Sequence, residues 1–157
     1  MSGLIGGAGS RSGIIGETEI DYEEGLFTGT FEDESGDNAG MTGSQTAGFY
    51  TKIGRTVTIS GRFEASSISG MADNDALYLT GLPFPPNTAS YNAMTAGAIS
   101  HASGLNIVAK ESVGVYTDPG SGRLKFKVWA SAAGNANFSV AGLSADGAMV
   151  IGMTYQT

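Results

Sequence analysis

Cysteine is absent from this chain of 157 residues, and histidine, tryptophan and proline are scarce, with one, one and four residues respectively. The absence of cysteine excludes a disulfide framework and thiolate chemistry. A single histidine argues against a zinc centre, because such centres are built largely from cysteine and histidine. No apolar stretch approaches the roughly 20 residues that span a bilayer, and no signal-peptide core is present. We therefore expect a protein made in a cytoplasm and not inserted into a membrane.

Positive charge is scarce as well, since eight lysines and arginines stand against fifteen acids, for a net charge of −7. More than half of the acids lie between Glu17 and Asp37, and Arg11 is the only basic residue before Lys52. Nucleic-acid binding needs a basic surface that neutralises phosphates, so the sequence argues against it. The acidic segment is interpreted either as a solvated stretch or as a surface that docks on a basic protein.

Glycine, in contrast, is abundant, with 25 residues, while charged residues make up only 15% of the chain. Each glycine inside a helix costs about 1 kcal/mol, whereas turns and bulges use the positive φ that glycine adopts. The length fits one domain with a sizeable core. The composition therefore predicts an all-β fold.

Alternation of apolar and polar residues locates the strands. It is clear after Gly54, where Val57, Ile59 and Phe63 share one face of a predicted strand. Further strands are predicted at residues 47–53, 76–80, 123–129 and 147–155. Short alternating strands separated by turn residues are typical of sandwiches. The pattern therefore predicts an antiparallel β-sandwich or jelly-roll-like module.

The chain divides by composition into three parts. Residues 1–16 form an extended glycine-rich N-terminal arm, residues 17–46 an acidic connector with one short strand at residues 26–31, and residues 47–157 the β-sandwich module. The arm carries bulky residues that suit an anchor ordering on another protein, namely Leu4, Ile5, Arg11, Ile14 and Ile15. The alternative is a solvated tail, since so glycine-rich a stretch cannot pack a core alone.

The polar residues show no recognisable catalytic pattern. His101 is the single histidine, and the sequence has no Gly-x-Ser-x-Gly motif that would supply a serine nucleophile for it to activate. Most acids outside the connector occupy turns, where aspartate is common for backbone reasons. Asp73 with Asp75, or Asp33 with its acidic neighbours, would suit a calcium ion only as part of a complete loop, which neither has. We therefore predict no enzymatic activity, no cofactor and no metal. A small polysaccharide-degrading enzyme remains the alternative from another functional class.

Three residues are candidates for ligand contact. Trp129 follows an inward-facing residue, so alternation turns it outward, where it either stacks on a sugar ring or packs against a neighbouring subunit. Tyr91 and Asn92, just after the proline-rich turn, are the other two candidates.

Four motifs in a fixed order carry a resemblance to a known group of proteins. They are Tyr50-Thr-Lys-Ile-Gly54, Val57-Thr-Ile-Ser-Gly61, Gly81-Leu-Pro-Phe84 and the closing Gly152-Met-Thr-Tyr155. Together they resemble the C-terminal modules of bacteriophage tail-fibre and related virion proteins, over roughly residues 45–157. The N-terminal Gly-Ser-Arg-Ser-Gly-Ile-Ile-Gly is similar to the openings of small phage structural proteins.

The resemblance implies an antiparallel β-module that forms a homotrimer on the virus particle and recognises a host surface molecule, often a glycan. Rows of small residues at 93–98 and 131–136 also suit packing around a three-fold axis. The chain departs from a long fibre in having no repetitive shaft. Its place on the virion is therefore open between a tail adhesin and a capsid decoration protein, attached to other virion proteins through residues 1–46.

Overall fold

Eleven strands form in the part of the chain that the computed structural model describes, residues 21–43, 45–87, 91–130 and 134–157. In chain order they are β1 (Tyr22–Thr28), β2 (Thr30–Glu32), β3 (Gly40–Met41), β4 (Ala47–Ile53), β5 (Thr56–Ser67), β6 (Tyr78–Thr80), β7 (Ala96–Leu105), β8 (Ser112–Thr117), β9 (Leu124–Ala130), β10 (Gly134–Asn137) and β11 (Leu143–Gln156). The same ranges contain two single-turn 3₁₀ helices, Tyr91–Ala93 and Val140–Gly142. None of the helices in these ranges is long and apolar enough to cross a membrane.

The strands pair in the order β1-β4-β5-β11-β7-β8-β9-β6-β2, with β10 added to β9 and β3 added to β5. Every pairing is antiparallel. One sheet consists of β1, β4, β5, β11 and β7. Strand β7 also pairs with β8, which belongs to a second sheet together with β9, β6 and β2. The predicted all-β, antiparallel sandwich-like class is confirmed. The predicted glycine-rich arm lies outside the described residues.

The core lies between the two sheets and is built from alternate residues of the long strands. The faces predicted from alternation are confirmed on β5, where Val57, Ile59 and Phe63 are buried, and on β9, where Leu124 and Phe126 are buried. The inward face of β11 is buried in the same way, at Met149, Ile151, Met153 and Tyr155. Burying each such side chain contributes about 1.5–3 kcal/mol, so these strands supply much of the stabilisation.

The acidic segment contributes more strand than the sequence indicates. The single strand predicted at residues 26–31 is divided in the structure into β1 and β2, and a third strand, β3, follows. β1 pairs with β4 along its whole length, and β2 pairs with β6. Phe27 and Phe31 point inward and are 7% and 0% exposed. Residues 22–32 therefore extend both sheets and fill part of the core.

Gly29 explains why the strand divides. Here the chain leaves the first sheet and enters the second, passing over the buried ring of Phe63. A Cβ at this position would lie 2.5 Å from Cε1 of Phe63 and 3.2 Å from Cδ1 of Leu79. Only glycine fits here without displacing core side chains. Gly29 also joins β1 to β2, the first and last strands of the pairing order, so the sheet nearly closes on itself at this point.

Asp33 is a buried acid that ties two loops together. It is 0% exposed, and its Oδ1 and Oδ2 accept hydrogen bonds from the N–H groups of Asp37 at 2.8 Å and Ala72 at 2.9 Å. Burial acts to raise the pKa of Asp33, but these N–H groups and two further turn amides hold the pKa below its ordinary value. Within the described ranges, no group of three or more His, Cys, Asp or Glu is arranged to hold a metal ion.

Candidate functional site

An open groove of about 530 Å³ crosses the outer face of the second sheet. Its floor and walls come from β7, β8, β9 and β10, together with the segment that precedes β7. The lining includes Met94, Gly114, Tyr116, Lys127, Trp129 and Asn135. A concave surface with aromatic walls and a few polar groups is the usual form of a ligand site.

Strand register brings the polar lining residues together. Because Phe126 and Val128 of β9 face the core, Lys127 and Trp129 must face outward. Trp129 pairs with Ser112 on one side and Asn135 on the other. The outward orientation predicted for Trp129 is thus found, and its side chain is 53% exposed.

Gly114 keeps the floor of the groove open. It pairs with Lys127 across the β8–β9 ladder, on the same outer face as Trp129. A Cβ on Gly114 would lie 3.4 Å from Nε1 of Trp129, so a larger side chain would extend into the space beside the indole. The bare backbone leaves that edge of the ring accessible to a ligand.

Tyr116 forms the opposite wall and carries a fixed hydroxyl. Its O–H donates to Oδ1 of Asp118 at 3.3 Å. Burial, followed by the charge of Asp118, raises the pKa of Tyr116 to about 12. The hydroxyl therefore stays protonated at neutral pH.

Three cations project outward from β9 and the turn before it, and they differ in their partners. Arg123 pairs with Glu32 and lies 3.9 Å from the centre of the Tyr78 ring. Lys125 lies 5.0 Å from the centre of the same ring. Lys127 donates instead to Oδ1 of Asn137 at 2.7 Å, and that partner is uncharged. The groove therefore holds a positive charge that no adjacent carboxylate neutralises among the described residues.

The structure places the sequence-predicted residues unevenly. Trp129 lines the groove, and Tyr91 begins the 3₁₀ helix near it and is 81% exposed. Asn92 occupies the same helical turn. The predicted anchor residues lie outside the described part of the chain, namely Leu4, Ile5, Arg11, Ile14 and Ile15. His101 lies exposed on β7, opposite Val150 of β11.

The sequence interpretation missed Tyr116, Lys127 and Asn135 as parts of a site. Alternation along β9 did place Lys127 on the outer face, which was the available signal. Tyr116 and Asn135 join it only because β8 and β10 flank β9. That adjacency is a property of the topology and has no local sequence signature.

A second surface, which we call the β1–β4 face, exposes large apolar side chains. It consists of Tyr22, Leu26, Phe49 and Ile53, which are between 52% and 65% exposed. Register pairs Tyr22 with Ile53 and Leu26 with Phe49, and the polar pair Glu24–Thr51 lies between these two apolar pairs on the same face. Four large apolar side chains exposed on one face are a common mark of an interaction surface.

Comparison with known proteins bears on the fold alone. No protein-family model matches the chain, and no curated protein matches it. Among solved structures, a crystal structure of the Dettilon tailspike protein is similar, with a TM-score of 0.67 at 16% sequence identity. The match covers 86% of this chain and 24% of that one, so this chain spans about a quarter of the tailspike's length. The antiparallel architecture described above therefore also occurs within a phage tailspike.

Proposed function

We propose that this chain, whose fold occurs within a phage tailspike, is a structural module of a phage virion that binds the host surface. The structural likeness to a tailspike supports a virion component, in agreement with the resemblance of its motifs to tail-fibre modules. The net charge of −7 disfavours nucleic acid as the partner.

The groove is the proposed receptor site, and its ligand is a glycan. The observation that carries this proposal is the single tryptophan of the chain, 53% exposed on the wall of a groove of about 530 Å³. Burial of an indole contributes most to stability in the core, so its place here favours a binding role. A sugar ring stacked on Trp129 would present its hydroxyls to Lys127, Asn135 and other polar groups of the groove.

Replacement of Trp129 tests the glycan site. We expect Trp129→Ala to lower retention of the protein on an array of bacterial surface polysaccharides by at least tenfold, with Trp129→Phe intermediate. The control is Val108→Ala, which changes a side chain that is 66% exposed and outside the groove. Equal binding by Trp129→Ala and the wild type would contradict the proposal.

The same assay separates the binding module from an enzyme. A binding module leaves the polysaccharide intact, whereas a glycan-degrading enzyme releases shorter chains that size-exclusion chromatography of the supernatant detects. Release of oligosaccharides that Trp129→Ala reduces would replace the proposed function by hydrolysis in the same groove. A binding module predicts an unchanged chain-length profile after prolonged incubation.

We also propose that the module is a homotrimer and that the β1–β4 face lies in the subunit interface. Support comes from the four apolar side chains of this face, which are too exposed to stabilise an isolated subunit. Sedimentation velocity should report a trimer for the wild type and smaller species for Phe49→Ser. Val108→Ser, which removes an exposed apolar side chain elsewhere, should sediment like the wild type.

The position on the virion separates host attachment from capsid decoration. Residues 1–46 are the proposed contact with other virion proteins. A gold-labelled antibody against residues 47–157 should mark the tail end of purified particles if the module is an adhesin. Label spread over the shell would instead favour the decoration protein.

A further inference from the structure

Among the described residues that line the groove, one side chain is charged, that of Lys127, and its surroundings leave the charge available to a ligand. Of the lining residues that the structure describes, none is an acid. Nζ of Lys127 bonds to the amide oxygen of Asn137, which orients the ammonium without neutralising it. A cation without a carboxylate partner in a concave site favours the binding of an anion there.

The neighbouring carboxylates are directed to other partners. Asp118, at one end of the groove, accepts the hydroxyl of Tyr116 at 3.3 Å. Glu111, next to the residue that pairs with Trp129, accepts the backbone N–H of Val108 at 3.0 Å. Both acids therefore have hydrogen-bond donors of their own, and neither forms an ion pair with Lys127.

The spacing of Trp129 and Lys127 along β9 is comparable with the size of one sugar unit. Lys127 and Trp129 are two positions apart on β9 and face the same side, and two strand positions span about 6.6 Å. A ring stacked on the indole thus carries its substituents beside Nζ. Gly114, directly across from Lys127, provides no side chain that would block the approach.

From these observations we propose that the groove is selective for an anionic glycan, with the carboxylate of a uronic- or sialic-acid residue bound by Lys127 while its ring stacks on Trp129. The inference rests on the proposed glycan-binding function and adds the chemical class of the ligand to it. Lys127 would then determine specificity, and Trp129 would contribute affinity for acidic and neutral sugars alike.

The test compares each polysaccharide of a bacterial surface-glycan array in its native form and after chemical reduction of its carboxylates to alcohols. We expect the wild type to bind a native acidic glycan about tenfold more tightly than its reduced form, which corresponds to one charge-assisted hydrogen bond. Lys127→Gln should lose this tenfold preference and keep the affinity for the reduced form. The preference should also weaken with added salt.

Lys125→Gln is the matched control, because it removes the same charge from the same face of β9 but outside the groove. It should bind both forms within twofold of the wild type. Equal loss of preference in both lysine variants would overturn the inference, since it would show only an effect of net charge. If Trp129→Ala weakens binding while the wild type does not prefer native glycans, the proposed function stands and the anionic preference falls. If the wild type binds neither form, both are overturned.

Discussion

Asp33 offers a sharp test of how the acidic segment is held in the fold. Its side chain is completely buried, and both carboxylate oxygens accept backbone N–H groups, from Asp37 within its own turn and from Ala72 in a distant loop. Asp33→Ala removes both bonds at once and leaves the two donors without their partner. The substitution thus removes one link between the loop after β2 and the loop that precedes β6, and the bond from Ser35 to Asp75 remains.

The expected cost follows from those two bonds. A hydrogen bond to a charged group contributes about 1.5–3 kcal/mol, and Asp33→Ala removes two. Because Ala72 and Asp37 are exposed residues, water recovers part of the loss. We expect the free energy of unfolding to fall by about 2–4 kcal/mol, and Tm by about 5–15 °C.

The pH dependence gives the prediction a second, independent part. The pKa of Asp33 is below its ordinary value, which is about 3.9 in an unfolded chain. The folded state is therefore stabilised by the ionised carboxylate fully above about pH 4. This stabilisation is lost as the pH falls through the lower pKa of the folded state, so the difference between wild type and Asp33→Ala should shrink there.

Urea unfolding followed by far-ultraviolet circular dichroism, at equal protein concentration, measures both parts. The control is Asp73→Ala, which removes the same charge from an exposed position and should change the unfolding free energy by less than about 0.5 kcal/mol. This prediction is wrong if Asp33→Ala and Asp73→Ala are equally stable at pH 7. It would also fail if the difference between wild type and Asp33→Ala stayed constant down to pH 2.

Three further predictions concern other parts of the fold. Gly29→Ala should destabilise the protein by about 1–3 kcal/mol in the same urea assay, because its Cβ meets the core, whereas Gly43→Ala, with no atom within 4 Å, should be neutral. Tyr155→Phe removes the 2.8 Å bond to the carbonyl of Phe84 and should cost about 1 kcal/mol at pH 7. Burial raises the pKa of Tyr155, so the wild type should lose stability as the pH rises above about 10, and the variant should lose less. Trp129, as the sole tryptophan, should show the red-shifted emission and strong acrylamide quenching of an exposed indole, and blue-shifted emission in the free protein would contradict its exposure.

The strands that the sequence predicted are those with one solvent-exposed face and one buried face. β5, β9 and the second half of β11 alternate regularly, so their inward residues are evident without a structure. β10 was missed because Gly134–Asn137 is exposed throughout and has no apolar side to reveal a period. The division at Gly29 was missed because the obstacle is Phe63, more than thirty residues later in the chain.

The candidate site divides along the same line. Alternation along one strand was sufficient to turn Trp129 outward, and the structure agrees. The groove itself depends on which strands flank β9, and no local pattern in the sequence carries that information. The neutral partner of Lys127 depends in turn on the pairing of β10 with β9. Alternation along one strand thus predicted the orientation of a single side chain, whereas the strand topology determined which side chains form the groove together.

The central place of β11 has a consequence for how the protein is made. This strand is the last described element in the chain, yet it lies between β5 and β7 and pairs with both. During translation those two strands have no shared partner until residues 143–156 have left the ribosome. Until then the nascent chain exposes unpaired strand edges and apolar faces, which promote aggregation. The first sheet is therefore completed only once residues 143–156 are available, and this late step would favour assistance from a chaperone.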